Sequence, residues 1–221
     1  MNASTVTRST RTAKIRRYDA TRRRNAAART RERVLDVAKD SLLSQGYAAT
    51  TVAAIARAAG VSAELIYKSF GGKAGLVRHL QRRALLGDGP TPAEARSDAA
   101  SASEVGAAAV IREWARLATE VAPRVSSIML LVGSAAASDP VLADLLGEMN
   151  AQRLERMAHN AERISRHPDV RSDLTVDQVR DILWTYSSPD LYRLVVLERG
   201  WTLSAYGDFL WSGMTGQLLT R

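Results

Sequence analysis

The sequence predicts an all-α protein in which a small N-terminal three-helix helix-turn-helix domain is joined to a larger helical domain. Three observations carry this. Apolar residues recur at helical spacing along most of the chain, and no stretch shows convincing alternation of β-branched residues. Between residues 52 and 66, two short apolar stripes flank a tight corner, Gly60-Val61-Ser62. Residues 87–103 (GDGPTPAEARSDAASAS) form a break rich in Gly, Pro, Ala and Ser, the best boundary between the two parts.

The elements follow in order. Residues 1–24 lack apolar periodicity and read as a disordered, Arg-rich tail. Asn25 can cap a long first helix reaching about residue 45, with Leu35, Ala38 and Leu42 on one face and Gly46 at its end. Its expected task is to brace two short helices. Thr50 is placed as the N-cap of the first of these, which buries Val52, Ile55 and Ala56. Gly60 is free to take positive φ, Val61 plugs the corner, and Ser62 caps the helix that carries residues 63–68. A further helix over 72–86 buries Leu76, Val77 and Leu80 and completes a domain at 25–86. After a linker at 87–103, residues 104–221 are expected to be helical near 104–121, 123–137, 140–166, 176–187, 189–199 and 203–220. Pro123, Pro140 and Pro189 sit where first-turn prolines are tolerated, Asp139 and Ser188 precede two of them as N-caps, and Gly200 is a stop.

A helix-turn-helix of this kind lays its second helix in the DNA major groove, so double-stranded DNA is the expected partner. The order of residues is also more particular than that. Gly46, Tyr47, Thr50, Thr51, Val52, Ile55, Ala56, Ala59, Gly60, Val61, Ser62, Ile66, Tyr67, Phe70, Lys73 and Leu76 stand at fixed spacings. That pattern resembles the DNA-binding signature of the TetR family of bacterial transcriptional regulators. The resemblance covers about the first third of the globular chain, and the stretch LYRLVVLERGW at 191–201 is more weakly similar to some actinobacterial members. Leu65 stands where members often carry Thr, and Lys68 and Ser69 where Tyr-His is common, so the target sequence cannot be borrowed from a relative. Leu65 offers only apolar contact, for example with a thymine methyl.

Charge placement agrees with a polyanion at one end. The net charge is +8, and it is uneven. Residues 1–33 hold 11 Lys and Arg against 2 acids, residues 34–90 hold 7 against 4, and residues 91–221 hold 13 against 17. Arg outnumbers Lys 27 to 4, which also suits a GC-rich genome, so it is the position of the charge that carries the argument. Two of the four lysines, Lys68 and Lys73, fall inside the motif. There are no cysteines, which excludes structural disulfides and thiolate metal sites and points to a reducing cytoplasm. The N-terminus lacks the apolar stretch of a signal peptide, and no run approaches the roughly 20 apolar residues that span a bilayer, so no membrane partner is expected.

Catalytic constellations are missing. There is no G-x-S-x-G, no H-E-x-x-H and no phosphate-cradling glycine loop, and His79, His159 and His167 lie far apart. Neither an enzyme nor a metal or cofactor is expected.

The candidate DNA-binding residues are Thr50, Thr51, Ser62, Ala63, Glu64, Leu65, Tyr67, Lys68 and Lys73. Beside Ile66, only one of Ile66 and Tyr67 can point inward, and the resemblance makes Tyr67 a phosphate contact. Lys73 stands at a helix N-terminus, where a cation does not help the helix but the free N–H groups attract a phosphate. Ala63 and Glu64 are placed near base edges; Glu64 can accept from a cytosine amino group or repel phosphates. Thr50 and Thr51 can cap their helix and still meet a phosphate.

The resemblance further implies a small-molecule effector held in the C-terminal domain and a homodimer paired through the last helices. Trp114, Met129, Met149, Arg153 and Trp184 are the pocket candidates, Arg153 as a polar handle one turn after Met149. The expected dimer surfaces are Val176, Val179, Leu183 and Tyr186 on one helix and Phe209, Leu210, Met214 and Leu218 on the last. The expected function is a regulator, most simply a repressor released from a palindromic operator by its ligand. A non-specific DNA binder driven by the basic tail is one alternative, and a helical small-molecule carrier or enzyme is another.

Overall fold

The computed structural model describes residues 6–87, 91–102 and 106–220, with side chains from residue 22 onward. Helix α1 spans Val6–Ala49, so it passes through Asn25 instead of starting there, and the tail expected at 1–24 is helical from Val6. The reason is local: residues 6–45 contain neither Gly nor Pro and are rich in Ala and Arg, both strong helix formers. Residues 22–29 are exposed throughout, and burial begins further on, at Val34, Leu35, Ala38 and Leu42. Gly46, at φ 80°, interrupts the helical path near the C-terminal end.

The next three helices are short. Helix α2, Val52–Ala59, is capped by Thr51, whose hydroxyl accepts from the Ala54 N–H at 3.1 Å. Thr50, expected in that role, is instead buried, and its hydroxyl donates toward the carbonyls of Gly46 (2.8 Å) and Ser41 (3.1 Å). Gly60 takes the left-handed conformation at φ 63°, turning the chain into α3, Ala63–Phe70, which Ser62 caps through the Leu65 N–H. Helix α4, Lys73–Leu86, crosses so close to the end of α3 that a Cβ on Gly75 would lie 1.6 Å from the Phe70 carbonyl oxygen.

The expected linker is largely a helix. Helix α5, Ala93–Ser101, buries Ala93, Ser97 and Ser101, a stripe of small residues at four-residue spacing that hydrophobicity does not reveal. Residues 88–90 and 103–105 lie outside the described residues.

Two helices expected on either side of Pro123 are one, α6, Ala107–Ala136. An interior proline costs about 3 kcal/mol, and the burial of Leu117, Ser126, Ile128 and Met129 around it offsets that cost. Thirty residues make a rod of about 45 Å, and it enters both cores, the second near its start and the first near its end. Helix α7, Pro140–Ile164, starts at Asp139, which accepts from the Val141 N–H. Helix α8, Val176–Tyr186, opens with a reciprocal capping box of Thr175 and Gln178. Helix α9, Pro189–Tyr192, continues as a π-helical turn over Arg193–Glu198, and α10 is Leu203–Leu218. Among the described residues no strand forms; a single antiparallel bridge joins Val170 to Leu219.

The side chains bury into two cores. The first unites α1 to α4 with Ile128, Met129 and Val132 of α6 and Leu142, Leu145 and Met149 of α7. The second gathers α6 around Trp114, the end of α7, and α8 and α10. The N-terminal helices therefore do not hang on a linker but share a core with α6 and α7.

Candidate nucleic-acid interface and helical cavity

Helix α3 is two-faced. Ile66 and Phe70 point into the core, while Glu64, Leu65, Tyr67 and Lys68 are exposed. Tyr67 is 59% exposed beside the fully buried Ile66, which settles which of the two points inward. Its ring rests against Gly72, whose φ of 92° and missing Cβ make room for it. Ser62 and Thr51 are also exposed, each at a helix N-terminus, and Ala63 is half-buried. The carboxylate of Glu64 is held below its usual range, chiefly by hydrogen bonding with Ser62, so it stays ionised near the first turn.

Two of the expected contact residues lie elsewhere. Thr50 is buried, with its hydroxyl occupied as described above. Lys73 points back into the domain: its ammonium donates to the carbonyls of Tyr47 (2.6 Å) and Thr50 (2.8 Å) and sits 4.0 Å from the centre of the Tyr47 ring. Burial pushes its pKa down, with Asp139 opposing. It ties the end of α1 to the start of α4.

Two arginines of α1 hold the corner from behind, and sequence reasoning did not single them out. Arg33 donates to the Ala59 carbonyl at 2.9 Å and Arg31 to the Ser69 carbonyl at 3.2 Å, each at a helix C-terminus, where a cation is favoured. Arg31 also lies 4.7 Å from the Phe70 ring centre. The brace expected of the first helix is thus made of specific side chains.

A cavity of about 740 Å³ lies between α4, α5, α6, α7, α8 and α10. Trp114, Met129, Met149 and Arg153 line it, and four of the five expected pocket residues therefore meet in one place. Trp184 does not line it but backs Arg153, whose guanidinium lies 4.2 Å from the Trp184 ring centre and donates to the Trp184 carbonyl (2.5 Å) and the Ser187 hydroxyl (2.9 Å). Burial pushes the Arg153 pKa down to about 10, still charged at neutral pH. Helix α4 supplies Gln81, Arg82 and Leu85 to the same wall. Sequence reasoning missed them because Gln81 is a polar residue on the buried face of α4, and Arg82 and Leu85 lie to the side of that face. Helix α5 closes one side: Asp98 is gripped by Arg156 (2.7 Å) and His159 (3.1 Å) of α7.

The expected dimer residues divide. Val179, Leu183, Leu210, Met214 and Leu218 are buried within a single chain and are unavailable to a partner. They form the second core, because α8 turns its apolar stripe toward α7 and α10, and α10 turns its own toward α6 and α8. Tyr186 and Phe209 are half-buried, their rings 6.1 Å apart, and Val176 is exposed. Large apolar side chains are exposed at Leu194, Leu197, Trp201 and Leu203 instead. Among the described residues there is no metal-ligating cluster, and no helix is long and apolar enough to cross a membrane.

Residues 34–80 match the family described as bacterial regulatory proteins, tetR family. No curated protein matches the chain. Solved structures share its fold over most of its length. The fatty acid degradation regulator FadR from Bacillus halodurans aligns with a TM-score of 0.68 at 15% identity, covering 87% of this chain and 97% of its own. NalD, the secondary repressor of the MexAB-OprM multidrug efflux pump in Pseudomonas aeruginosa, aligns with a TM-score of 0.66 at 17% identity, covering 89% and 99%. The SmeT–triclosan complex aligns with a TM-score of 0.67 at 20% identity, covering 87% and 92%.

Proposed function

We propose that this chain, whose residues 34–80 match the tetR family of bacterial regulatory proteins, is a homodimeric, sequence-specific DNA-binding transcriptional regulator whose hold on its operator is loosened by a small molecule. One observation carries the reading: α4 belongs both to the core that supports α3 and to the wall of the cavity. An occupant touching Gln81, Arg82 and Leu85 presses on the helix that sets the position of the recognition surface. The exposed face of α3 supplies the readout, with Glu64 and Leu65 toward base edges and Tyr67 and Lys68 toward phosphates.

Homodimerisation follows from how little DNA one recognition helix reads. The partner surface is built from the exposed apolar residues Leu194, Leu197, Trp201 and Leu203 with the outer face of α8 at Val176. Trp201 is braced edge-on against Phe209 at 5.7 Å, which presents a rigid aromatic of the kind that anchors interfaces.

Selection of genomic fragments by the purified protein, followed by competition gel shifts, tests the reading. A few fragments sharing a two-fold repeat are expected to outcompete bulk DNA. Equal retention of all duplexes would leave a non-specific binder, and no retention would leave a helical carrier.

A further inference from the structure

The cavity wall carries polar groups that the chain itself leaves unsatisfied. Arg153 is half-buried, and no carboxylate among the described residues lies within ion-pair distance of it, although Asp190 acts on it from further away. Asp190 accepts instead from Arg193 at 3.3 Å. The Nε–H of Arg153 is fully enclosed and has no partner. The same holds for the indole N–H of Trp114 and the side-chain oxygen of Asn160, on residues 7% and 4% exposed that line the same space. A buried charge without a counter-ion, and buried donors and acceptors without partners, are costly to leave as they are.

The acids of the wall do not offer the opposite preference. Asp98 is already paired with Arg156 and His159, the Glu94 side chain is 73% exposed, and Glu155 is exposed. The lining also holds the apolar side chains of Trp114, Met129, Met149, Leu183 and Leu210, with Gln81, Ser126 and Gln152 as neutral polar members. A volume of about 740 Å³ suits an organic molecule of ordinary drug size.

We infer that the cavity takes an apolar carboxylate, its anionic head paired with the guanidinium of Arg153 and its body lying among Trp114, Met129 and Met149. Two of the guanidinium's donor directions are fixed by Trp184 and Ser187, so the fork is held in place for the incoming oxygens. This assignment rests on the reading of the cavity as an effector site, but it can be tested apart from it.

The test uses the full-length protein with naphthylacetate, phenylbutyrate and decanoate, each beside its primary amide, which has the same shape without the charge. Binding is read by calorimetry and by quenching of tryptophan fluorescence. At least one acid is expected to bind about tenfold or more tightly than its amide, the worth of a charge-assisted hydrogen bond. In Arg153→Gln that ratio should fall to near one while the amide binds as before, and Arg153→Lys should keep part of it. Acids that bind no better than their amides, or no acid binding at all, would overturn the assignment on the wild-type protein alone. So would a preference that survives in Arg153→Gln. DNA release is measured separately, with a selected genomic fragment. A bound acid that leaves DNA affinity unchanged upholds the carboxylate site and removes the effector reading.

Discussion

Arg78 of α4 and Glu148 of α7 meet through two hydrogen bonds, each 2.9 Å long, in a bidentate pair that joins the DNA-binding domain to the cavity wall. Both side chains are about half exposed, at 41% and 49%, so the pair adds little to stability but ties α4 to α7. Glu148→Gln is expected to move the thermal midpoint by no more than a few degrees yet shrink the loss of DNA affinity that a cavity ligand causes. The charge-reversed pair, Arg78→Glu with Glu148→Arg, should restore part of that response. Unchanged coupling in Glu148→Gln would show that the pair is idle. Arg78 holds the Glu148 carboxyl below its usual range, so the pair is intact at neutral pH and is lost only as pH falls through that lowered value.

Lys73 separates two roles that look alike in a single binding assay. With its ammonium on the carbonyls of Tyr47 and Thr50, Lys73→Ala should cost roughly 1–3 kcal/mol of stability, the worth of hydrogen bonds to a charged group. DNA affinity should drop for every operator variant alike while its salt dependence stays the same. A stable variant whose salt slope falls by about one would instead mark a direct phosphate contact.

Gly75 has no room for a side chain. Gly75→Ala drives a Cβ to 1.6 Å from the Phe70 carbonyl oxygen, so α3 and α4 must separate, at a cost of roughly 1–3 kcal/mol or more. Gly147 is the control: it is exposed, within α7, with nothing within 4 Å of an added Cβ. Gly147→Ala should therefore stabilise by up to about 1 kcal/mol through helix propensity. Urea midpoints moving in the same direction for both would refute the steric account.

The corner around Gly60 was legible because each residue there answers a local demand: a left-handed turn, a cap, a buried stripe. The elements that were not legible failed for reasons equally physical. Helix α5 buries only Ala93, Ser97 and Ser101, which carry no apolar period. The extension of α1 is exposed over residues 22–29, so no apolar pattern marks it there. Thr50 and Thr51 are both able to cap, and it is the carbonyls of Gly46 and Ser41 that draw the Thr50 hydroxyl inward. In the dimer surface, the stripes of α8 and α10 announce that a face is covered but not by what; α7 covers that of α8 and α6 that of α10. Four pocket residues were found from their chemistry, whereas Gln81, Arg82 and Leu85 needed the packing of α4 against α6 and α7 to be seen.

His79 gives the N-terminal domain a pH dependence. Its ring meets Phe70 edge-on at 5.1 Å, and its pKa is lowered by burial and then by Arg82 and Arg31. The unfolded chain therefore binds the proton more readily than the folded one. Stability is complete above the unfolded value, about 6.5, and declines as pH falls from there through the lower folded value. Denaturant midpoints between pH 8 and pH 5 should show the decline, and His79→Gln should flatten it. An equal decline in that variant would assign it to other groups.

The basic N-terminal stretch is expected to act as a helical arm along the DNA. Residues 22–29 are exposed and include Arg22, Arg23, Arg24 and Arg29, on a helix continuous with the one that braces the recognition corner. Such a helix carries its charge at a fixed angle from the domain, and its cations can reach backbone phosphates beside the site read by α3. Each phosphate contact contributes roughly 0.9 to the slope of log affinity against log salt. Deleting residues 1–24 should lower that slope by several such steps while leaving the preferred sequence intact, because the exposed face of α3 is untouched. Replacing Arg22, Arg23 and Arg24 together by Ala keeps the helix, since Ala is the better helix former, and removes only charge. A smaller slope in both variants identifies the charge as the cause. A smaller slope in the deletion alone places the contacts before residue 22, and an unchanged slope in both would mean that the arm does not touch DNA.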